Sequence, residues 1–299
     1  MNLWGIDLGG TKIEGAILDP SKPDKALHRL RVPTESAQGY EHVISQIAKV
    51  VTMLEAESGL KRPAVLGIGT PGASEPSTGL QKNSNTLCLN GQPLRADIAK
   101  ALGIEVRLAN DANCFALAEA TLGAAKGAPV VMGLILGTGC GGGVVVNQHI
   151  IEGLHGIGGE WGHNRLPGET EPCYCGKSGC NEQVIAGPSL ERYYARETGQ
   201  KIRLPEICQR AAAGEPAAVA TLERLRTKFA EAIAVVINIL DPHAVVIGGG
   251  VGNIDLLYDE KTRAEVGKFV FNHEVRTAFL KPTLGDSAGV FGAAMLTVD

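Results

Sequence analysis

The stretch GEWGHNRLPGETEPCYCGKSGCNE, residues 159–182, decides how this chain is organised. It holds one imidazole and three thiols, at His163, Cys173, Cys175 and Cys180, in a loop rich in glycine and proline. Histidine and cysteine at this spacing predict a four-coordinate zinc site. The alternative is a flexible loop with three reduced cysteines and a surface histidine. Zinc is favoured because the cysteines follow no helical or strand period that would bury them as core residues.

Two carboxylates adjoin the predicted zinc ligands: Glu160 shortly before His163, and Glu182 shortly after Cys180. Four protein ligands leave no position for water, so we expect a structural zinc that fixes the loop and orients both acids. A carboxylate can accept two hydroxyl groups, which suits a polyol, and the second ring nitrogen of His163 would be a fixed donor in the same pocket. The alternative is that both acids are solvated loop charges.

The composition is that of a soluble globular protein. Its 299 residues, 44% apolar and 20% charged, suffice for two domains with their own cores. The net charge of -4 offers no basic surface to nucleic acid. The amino terminus lacks the basic segment of a signal peptide, and the apolar runs are shorter than the roughly 20 residues that span a bilayer, so no membrane partner is expected. Three of the seven cysteines lie in the zinc loop and the other four are scattered along the chain, which fits a reducing cytoplasm.

A glycine turn follows the first predicted strand. Residues 3–8 predict a buried strand, Gly9-Gly10-Thr11 a turn, and residues 12–18 a second strand. Bare backbone N–H groups in such a turn can hold phosphate oxygens, and Asp7 could hold magnesium through water. The alternative is an ordinary hairpin with a two-glycine turn.

A second glycine-rich turn occupies residues 137–143. The pattern predicts one strand before it, Val130–Leu136, and another after it, Val144–Asn147. The glycines match G-x-G-x-x-G, but that dinucleotide fingerprint must open a helix, and the run of valines favours a strand instead. We therefore expect a second phosphate clamp.

Two further segments, each at the end of a predicted strand, are candidates for ligand binding or catalysis. Asn110 and Asp111 follow the predicted strand at 105–109, and ligands of open α/β sheets bind at the carboxyl ends of strands. The alternative is an N-cap for a helix at 112–122. The run Gly248–Gly250 also follows a predicted strand, and its bare backbone could lie close to a purine. There the alternative is a strand-to-helix turn.

The other periodic segments complete an α/β pattern. Apolar spacing predicts helices at 39–58, 94–102, 188–197, 204–213, 217–240 and near the carboxyl end as far as 296, and strands at 28–33 and 64–69. The turn Thr70-Pro71-Gly72 brings bare backbone close to a neighbouring group, and residues 82–92 are polar and irregular.

These motifs occur in one order along the chain: Ile6-Asp7-Leu8-Gly9-Gly10-Thr11-Lys12, Leu136-Gly137-Thr138-Gly139, Glu160-Trp161-Gly162-His163, the cysteine cluster and Gly248-Gly249-Gly250. In this order the whole chain resembles the ROK family of bacterial sugar kinases and sugar-responsive repressors. The resemblance implies an α/β fold of two actin-like (ribonuclease H-like) domains, with an interdomain active-site cleft and a structural zinc loop. It implies an N-terminal domain at 1–117, completed by a helix at about 288–299, and a C-terminal domain at 118–287 with the zinc loop at 160–182.

The resemblance also implies roles for single residues. Asp111 would be the general base, and Asp7 would help to place magnesium. The sugar would be held by Gly72, Asn83, Asn110, Asp111, Glu160, His163 and Glu182. ATP would be held by Gly5, Asp7, Gly9, Gly10, Thr11, Lys12, Gly137, Thr138, Gly139, Cys140, Gly141, Gly248, Gly249 and Gly250. Zinc would be bound by His163, Cys173, Cys175 and Cys180.

The implied activity is ATP-dependent phosphorylation of the 6-hydroxyl of a hexose. The segments 82–85 and 89–93, with Cys140, look most like the fructokinase and mannokinase branch, so D-fructose is the expected substrate. The alternatives are a kinase of N-acetylglucosamine or N-acetylmannosamine, a glucokinase, an actin-like ATPase without a small acceptor and, outside enzymes, a sugar-sensing regulator. The family's regulators carry a DNA-binding segment before the first glycine turn, for which we expect no room here. The family also suggests a homodimer. Asn181 departs from the family pattern, because an aliphatic residue is common at its position.

Overall fold

The structure, a computed structural model, describes residues 2–272 and 274–298. The strands are β1 Leu3–Leu8, β2 Lys12–Asp19, β3 Lys22–Pro33, β4 Val65–Thr70, β5 Ala73–Ser74, β6 Gln81–Lys82, β7 Glu105–Asn110, β8 Val130–Leu136, β9 Cys140–Val146, β10 His149–Ile150, β11 Ala244–Gly248 and β12 Ala278–Leu280. The helices are α1 Tyr40–Ser58, α2 Leu94–Leu102, α3 Asp111–Thr121, α4 Glu182–Ile185, α5 Gly187–Thr198, α6 Leu204–Ala212, α7 Pro216–Leu240, α8 Gly249–Gly252, α9 Glu260–Gly267 and α10 Ala288–Met295.

The first of two compact units comprises Met1–Gly127, Gly143–Gly158 and Thr283–Asp299. Its sheet has the order β3-β2-β1-β4-β7, in which β2 is antiparallel to β1 and to β3, and β1, β4 and β7 are parallel. Parallel strands end at a common edge, so the carboxyl ends of β1, β4 and β7 bring Asp7 and Asn110 to one edge of the sheet.

Helices cover both faces of this sheet. The apolar residues of α1 recur at three- and four-residue spacing and are buried against β2 and β3. On the other face, α10 packs directly on β1 and β4. Gly5 and Gly67 make this possible, because a side chain at Gly67 would overlap the carbonyl oxygen of Ala293.

The second unit comprises Ala128–Gly142 and Gly159–Pro282. The second sheet has the order β10-β9-β8-β11-β12, with β8, β11 and β12 parallel. The helices α5, α6 and α7 pack on one another around Tyr194, Ile207 and Ala218, all of which are fully buried. The loop at 160–182, with its Cys/His cluster, belongs to this unit.

The observed units differ in extent from the division expected from the sequence. Residues 118–127 and 143–158 belong to the first unit, although the expected boundary at 117 assigned them to the second. The chain passes from the second unit back to the first between Gly142 and Gly143, which lie within the single strand β9. The sequence pattern did not predict a boundary there. The domain boundaries stay a prediction, because compactness of contacts does not establish independent folding.

Most expected elements are present with small shifts of their ends. The prediction that β9 begins at Val144 was wrong, since the strand begins at Cys140 and includes the glycines at 141–143. Glycine weakens a strand in isolation, but here the bare backbone packs closely on its neighbours. The short strand β12 and the helix α9 were not predicted, because neither has a long apolar period. In the described part of the chain, no helix has the length and apolar character needed to span a membrane.

Candidate active site and metal centre

Four predicted metal ligands converge in the second unit. The ligand atoms of His163, Cys173, Cys175 and Cys180 all lie within 4.8 Å of one another. Nδ1 of His163 is 3.7 Å from Sγ of Cys173, and Sγ of Cys175 is 3.6 Å from Sγ of Cys180. Ligands held tetrahedrally at about 2.0 to 2.3 Å from zinc lie roughly 3.5 to 3.8 Å apart. The donor set and its spacing therefore fit zinc.

Backbone hydrogen bonds give the metal loop its shape. The Cys173 N–H group donates to the Lys177 carbonyl at 2.8 Å, and Pro172 pairs with Ser178 in an antiparallel bridge. This reversal of the chain brings Cys173 and Cys175 towards Cys180 across the loop. Cys173 and Cys180 are buried, whereas Cys175 is exposed. Hydrogen bonds within the loop's own backbone therefore position the three cysteine ligands.

The second ring nitrogen of His163 has a partner that the sequence pattern does not predict. Nε2 of His163 lies 3.1 Å from the hydroxyl of Tyr174, and the two rings meet edge to face with centroids 5.3 Å apart. Tyr174 is otherwise 80% exposed. The nitrogen expected to donate to a sugar is therefore occupied by a side chain of the metal loop.

Glu182 connects the metal loop to the second glycine turn. It is the first residue of α4 and is 9% exposed. The Cys140 N–H group donates to Oε2 of Glu182 at 3.1 Å, and the Gly187 N–H group donates to the Gly137 carbonyl at 2.8 Å. Burial first, and then the charge of Glu182, raise the pKa of the Cys140 thiol well above its usual range, so this thiol stays protonated.

Asn181 connects the two chain segments that carry the acids predicted to bind the sugar. Glu160 precedes a short 3-10 turn at Trp161–His163, and the indole N–H group of Trp161 donates to the Ala232 carbonyl at 3.1 Å. Asn181 is 1% exposed, and its Nδ2 donates to the Trp161 carbonyl at 2.8 Å. The amide that departs from the family pattern thus holds the segment of Glu160 against the segment of Glu182.

A cavity of about 970 Å³ lies in the second unit, which is within the range of ligand pockets. Gly137, Thr138 and Gly250 line it, together with apolar side chains that include Leu204 and Val251. The run Gly248–Gly250 is a strand-to-helix turn in which Gly248 ends β11 and Gly249 begins α8. A flat apolar ligand group could lie in this cavity with an anionic group at the second glycine turn.

The first glycine turn closes as the sequence predicts. The Gly9 N–H group donates to the Lys12 carbonyl at 2.9 Å, and the Thr34 hydroxyl donates to the Gly9 carbonyl at 2.7 Å. Gly10, Thr11 and Lys12 are exposed at the tip. Gly5 lies away from this tip, buried under α10, and Gly141 lies within β9.

Asp7 and Asp111 form an acidic pair in the first unit. Burial raises the pKa of Asp7 to about 6, with further contributions from Asp111 and Glu14, while Lys12 and Arg31 oppose the shift. Asp111 as a residue is exposed, but protein surrounds its carboxyl on most sides, and this desolvation raises the pKa of the carboxyl. A carboxylate with a raised pKa is a better proton acceptor, as a general base requires.

Residues expected to bind the sugar converge beside Asp111. Asn110 caps α3, since its Oδ1 accepts from the Ala112 N–H group at 2.9 Å, and its Nδ2 donates to the Gly72 carbonyl at 3.0 Å. The role of Asn110 as a helix cap therefore does not exclude a role in binding a ligand. Gly72 has a φ of 77° and lies so close to the 82–84 segment that a side chain would overlap the Lys82 carbonyl. Asn83 is exposed on that segment.

Glu14 was missed as a residue of the site. It is 1% exposed on β2, directly opposite Asp7 on β1. The Nε atoms of Arg29 and Arg31 donate to its carboxylate. A lone acid within the apolar strand that follows the glycine turn was the available signal, because a buried charge requires partners.

The chain is similar to known proteins over nearly its whole length. Residues 3–299 match the model of the ROK family. The N-acetyl-D-glucosamine kinase of Vibrio parahaemolyticus is 36% identical over 99% of both chains. The crystal structure of the ROK hexokinase from Thermus thermophilus has 33% identity and a TM-score of 0.85, covering 99% of this chain and 97% of that one. A ROK family glucokinase from Streptomyces griseus, in complex with glucose and AMPPNP, has 29% identity and a TM-score of 0.77 over 99% of both chains.

The fold is thus an actin-like α/β fold with two domains, and its second unit carries a Cys/His cluster with the chemistry of a zinc site. The chain belongs to the ROK family.

Proposed function

We propose that this protein is an ATP-dependent sugar kinase that phosphorylates the 6-hydroxyl of an N-acetylhexosamine, in the first place N-acetylglucosamine. The acidic pair Asp7 and Asp111, placed at the sheet edge beside a glycine turn, carries the phosphoryl-transfer part of this proposal. The sequence pattern favoured fructose, whereas the similarity to a kinase of N-acetylglucosamine favours the alternative. We take the latter, because it rests on the whole chain and the fructose interpretation on two short segments.

Phosphoryl transfer depends mainly on positioning and on neutralising charge. Asp111 would accept the proton of the 6-hydroxyl, which contributes roughly 10² to 10⁴-fold to the rate. Asn110, with Gly72 and Asn83, would hold the sugar near this base. The glycine turns would hold the phosphates through backbone N–H groups, and the cavity beside Gly250 would hold the adenosine. Asp7 would hold magnesium through water, and that ion would neutralise phosphate charge when bound.

Zinc would be structural in this proposal. His163, Cys173, Cys175 and Cys180 provide four ligands, and the metal would fix the loop from which Glu160 and Glu182 reach the sugar. The contact between Tyr174 and His163 requires that a sugar hydroxyl replace the tyrosine hydroxyl at Nε2, if His163 binds the sugar as expected. A homodimer in a reducing compartment is also part of the proposal, on family grounds.

The test is a coupled assay of ADP release with ATP and magnesium. We expect sugar-dependent turnover that is highest with N-acetylglucosamine among N-acetylmannosamine, glucose, mannose and fructose. Highest turnover with fructose would restore the fructokinase interpretation. No turnover with any sugar, by protein that retains zinc, would refute the kinase proposal and favour a sugar-sensing role.

A further inference from the structure

An exposed apolar face lies on the second unit, where the helix α7 meets the turn that follows α9. Four large apolar side chains form it: Val235 and Ile239 on α7, and Phe269 and Phe271 in the turn. Ile239 is 75% exposed and Phe271 is 97% exposed. We call these four side chains the α7 face. Phe271 makes almost no contact with the part of the chain that the structure describes.

Asn238 fixes the turn to the helix. Its Nδ2 donates to the Phe269 carbonyl at 3.1 Å, and its Oδ1 accepts from the Phe271 N–H group at 2.8 Å. Helical residues three and four apart are neighbours, so Val235, Asn238 and Ile239 share one surface of α7. The backbone of the turn is therefore bound to α7 at that surface. The two phenylalanines are presented by a segment that the helix holds in place.

The α7 face has the size of the apolar centre of a protein interface. A fully exposed aromatic side chain presents roughly 150 to 250 Å². The four side chains, at their observed exposures, present on the order of 400 Å². Each partner in a standard interface buries about 800 Å², and in homodimers about 65% of that area is apolar. The α7 face alone therefore provides most of the apolar area that one partner needs.

The charged groups around the α7 face leave little net charge. On α7, one turn before the face, Glu231 pairs with Lys228 at 3.1 Å. In the turn, Lys268 pairs with Glu265 at 2.5 Å. Asp241, just beyond the end of α7, adds a single negative charge. Such a rim neither attracts a strongly charged partner nor strongly repels a copy of itself.

We propose that the α7 face binds the α7 face of a second copy of this chain about a twofold axis. The inference rests on the homodimer that is part of the proposed function, and it assigns the surface that forms this dimer. A twofold interface uses the same residues in both copies, so it requires a surface that is complementary to itself. An apolar centre with a nearly neutral rim meets this requirement, whereas a charged partner would need a rim of the opposite charge.

The test measures the oligomeric state by sedimentation of the substrate-free protein. The wild type should be a dimer at micromolar concentration. Phe271→Asp and Ile239→Asp should each raise the dissociation constant of the dimer at least about 30-fold, because a charge then replaces a central apolar side chain. Both side chains are mostly exposed, so neither substitution removes core packing from the single chain.

Two further variants serve as controls. Leu154→Asp places the same charge at an apolar side chain that is 84% exposed in the first unit, and it should leave the dissociation constant unchanged. Phe271→Leu keeps an apolar side chain at the face and should preserve most of the affinity. Loss of the dimer in Leu154→Asp, to the same extent as in Phe271→Asp, would overturn the assignment of the surface.

Two measurements on the wild type need no substitution. Amide hydrogen exchange in residues 268–272 should slow as the protein concentration rises through the dissociation constant. The dissociation constant should change only a few-fold between about 0.1 and 1 M salt, because the contact is mainly apolar. Exchange in this segment that is independent of concentration, in a protein that dimerises, would contradict the inference.

The outcomes separate this inference from the kinase proposal. A monomeric wild type would overturn the inference and leave the α7 face to a different protein. A dimer that persists in both Asp variants uses another surface and would overturn it as well. A monomer with sugar-dependent turnover refutes the dimer but keeps the kinase, whereas a dimer through the α7 face that phosphorylates no sugar does the reverse.

Discussion

The hydroxyl of Tyr174 lies 3.1 Å from Nε2 of His163, the ring nitrogen opposite the one that faces Cys173. A second partner of this kind fixes the ring and the tautomer of a metal-binding histidine. The tyrosine stands between two of the cysteines, so one short segment provides both ligands and the support of a third ligand.

Tyr174→Phe should weaken zinc binding roughly tenfold in the absence of sugar, because the phenyl ring keeps the edge-to-face contact but loses the hydroxyl. Transfer of zinc to a coloured chelator, followed over time, measures this. Tyr193→Phe is the matched control, since the ring of Tyr193 packs under the guanidinium of Arg224 and not on His163. Equal rates of zinc loss in Tyr174→Phe and in the wild type would show that the hydroxyl does not support the ligand.

Glu182→Ala should raise the KM for ATP as well as the KM for the sugar. The carboxylate accepts from the Cys140 N–H group at 3.1 Å, so its removal leaves the second glycine turn without one of its supports. Steady-state kinetics with each substrate varied in turn separates the two effects. A rise in the KM for the sugar alone would mean that the turn keeps its shape without Glu182.

Asp111→Asn should lower kcat by roughly 10² to 10⁴-fold, because an amide cannot accept the hydroxyl proton. Sugar affinity should change only a few-fold, since Asn110 and its contact with Gly72 remain. Calorimetry gives the affinity and the coupled assay the rate. Asp24→Asn, at an exposed carboxyl, serves as control. Turnover close to wild type in Asp111→Asn would refute its role as base.

Asp7→Asn should abolish turnover but stabilise the fold at neutral pH. Burial raises the pKa of Asp7 from 3.8 to about 6, which corresponds to about 3 kcal/mol. Below about pH 4 the carboxyl of Asp7 is protonated in both the folded and the unfolded protein, so it does not destabilise the fold there. The destabilisation grows as the pH rises and is complete once the pH exceeds about 6. The free energy of unfolding of the variant should thus exceed that of the wild type by up to about 3 kcal/mol at pH 7.5, and by roughly half as much at pH 5.

Urea unfolding in magnesium-free buffer at several pH values measures the effect of Asp7→Asn. The same substitution at Asp24 controls for the loss of one negative charge. A gain that does not change with pH would contradict the assigned cause, and a loss of stability at pH 7.5 would contradict its sign.

The sequence was most informative where chemistry and local pattern coincide. The convergence of His163 with the three cysteines is confirmed. It could be predicted because one histidine and three cysteines in one loop are typical of a metal site. The first hairpin is confirmed as well, since its strands and its glycine turn are adjacent in the chain. The cap formed by Asn110 could also be predicted, because capping depends on a few consecutive residues.

What the sequence could not reveal depends on contacts between distant segments. The pairing of Glu182 with Cys140 and the buried Glu14 beside Asp7 both require the folded sheet. The start of β9 at Cys140 was missed because glycine disfavours strands in isolation, and only tertiary packing reverses this preference. The substrate preference depends on such contacts too, so two short segments do not determine it.

The packing of α10 on β1 and β4 affects the order in which the chain can fold during synthesis. The strands β1, β4 and β7 leave the ribosome early, but the helix that covers one of their faces is made of residues 288–295. Until then the backbone of Gly5 and Gly67 has no cover, and that face of the sheet is exposed to other chains. The second unit ends at Pro282, before α10 is made, so a face of the first unit's sheet is among the last parts of the protein to be covered.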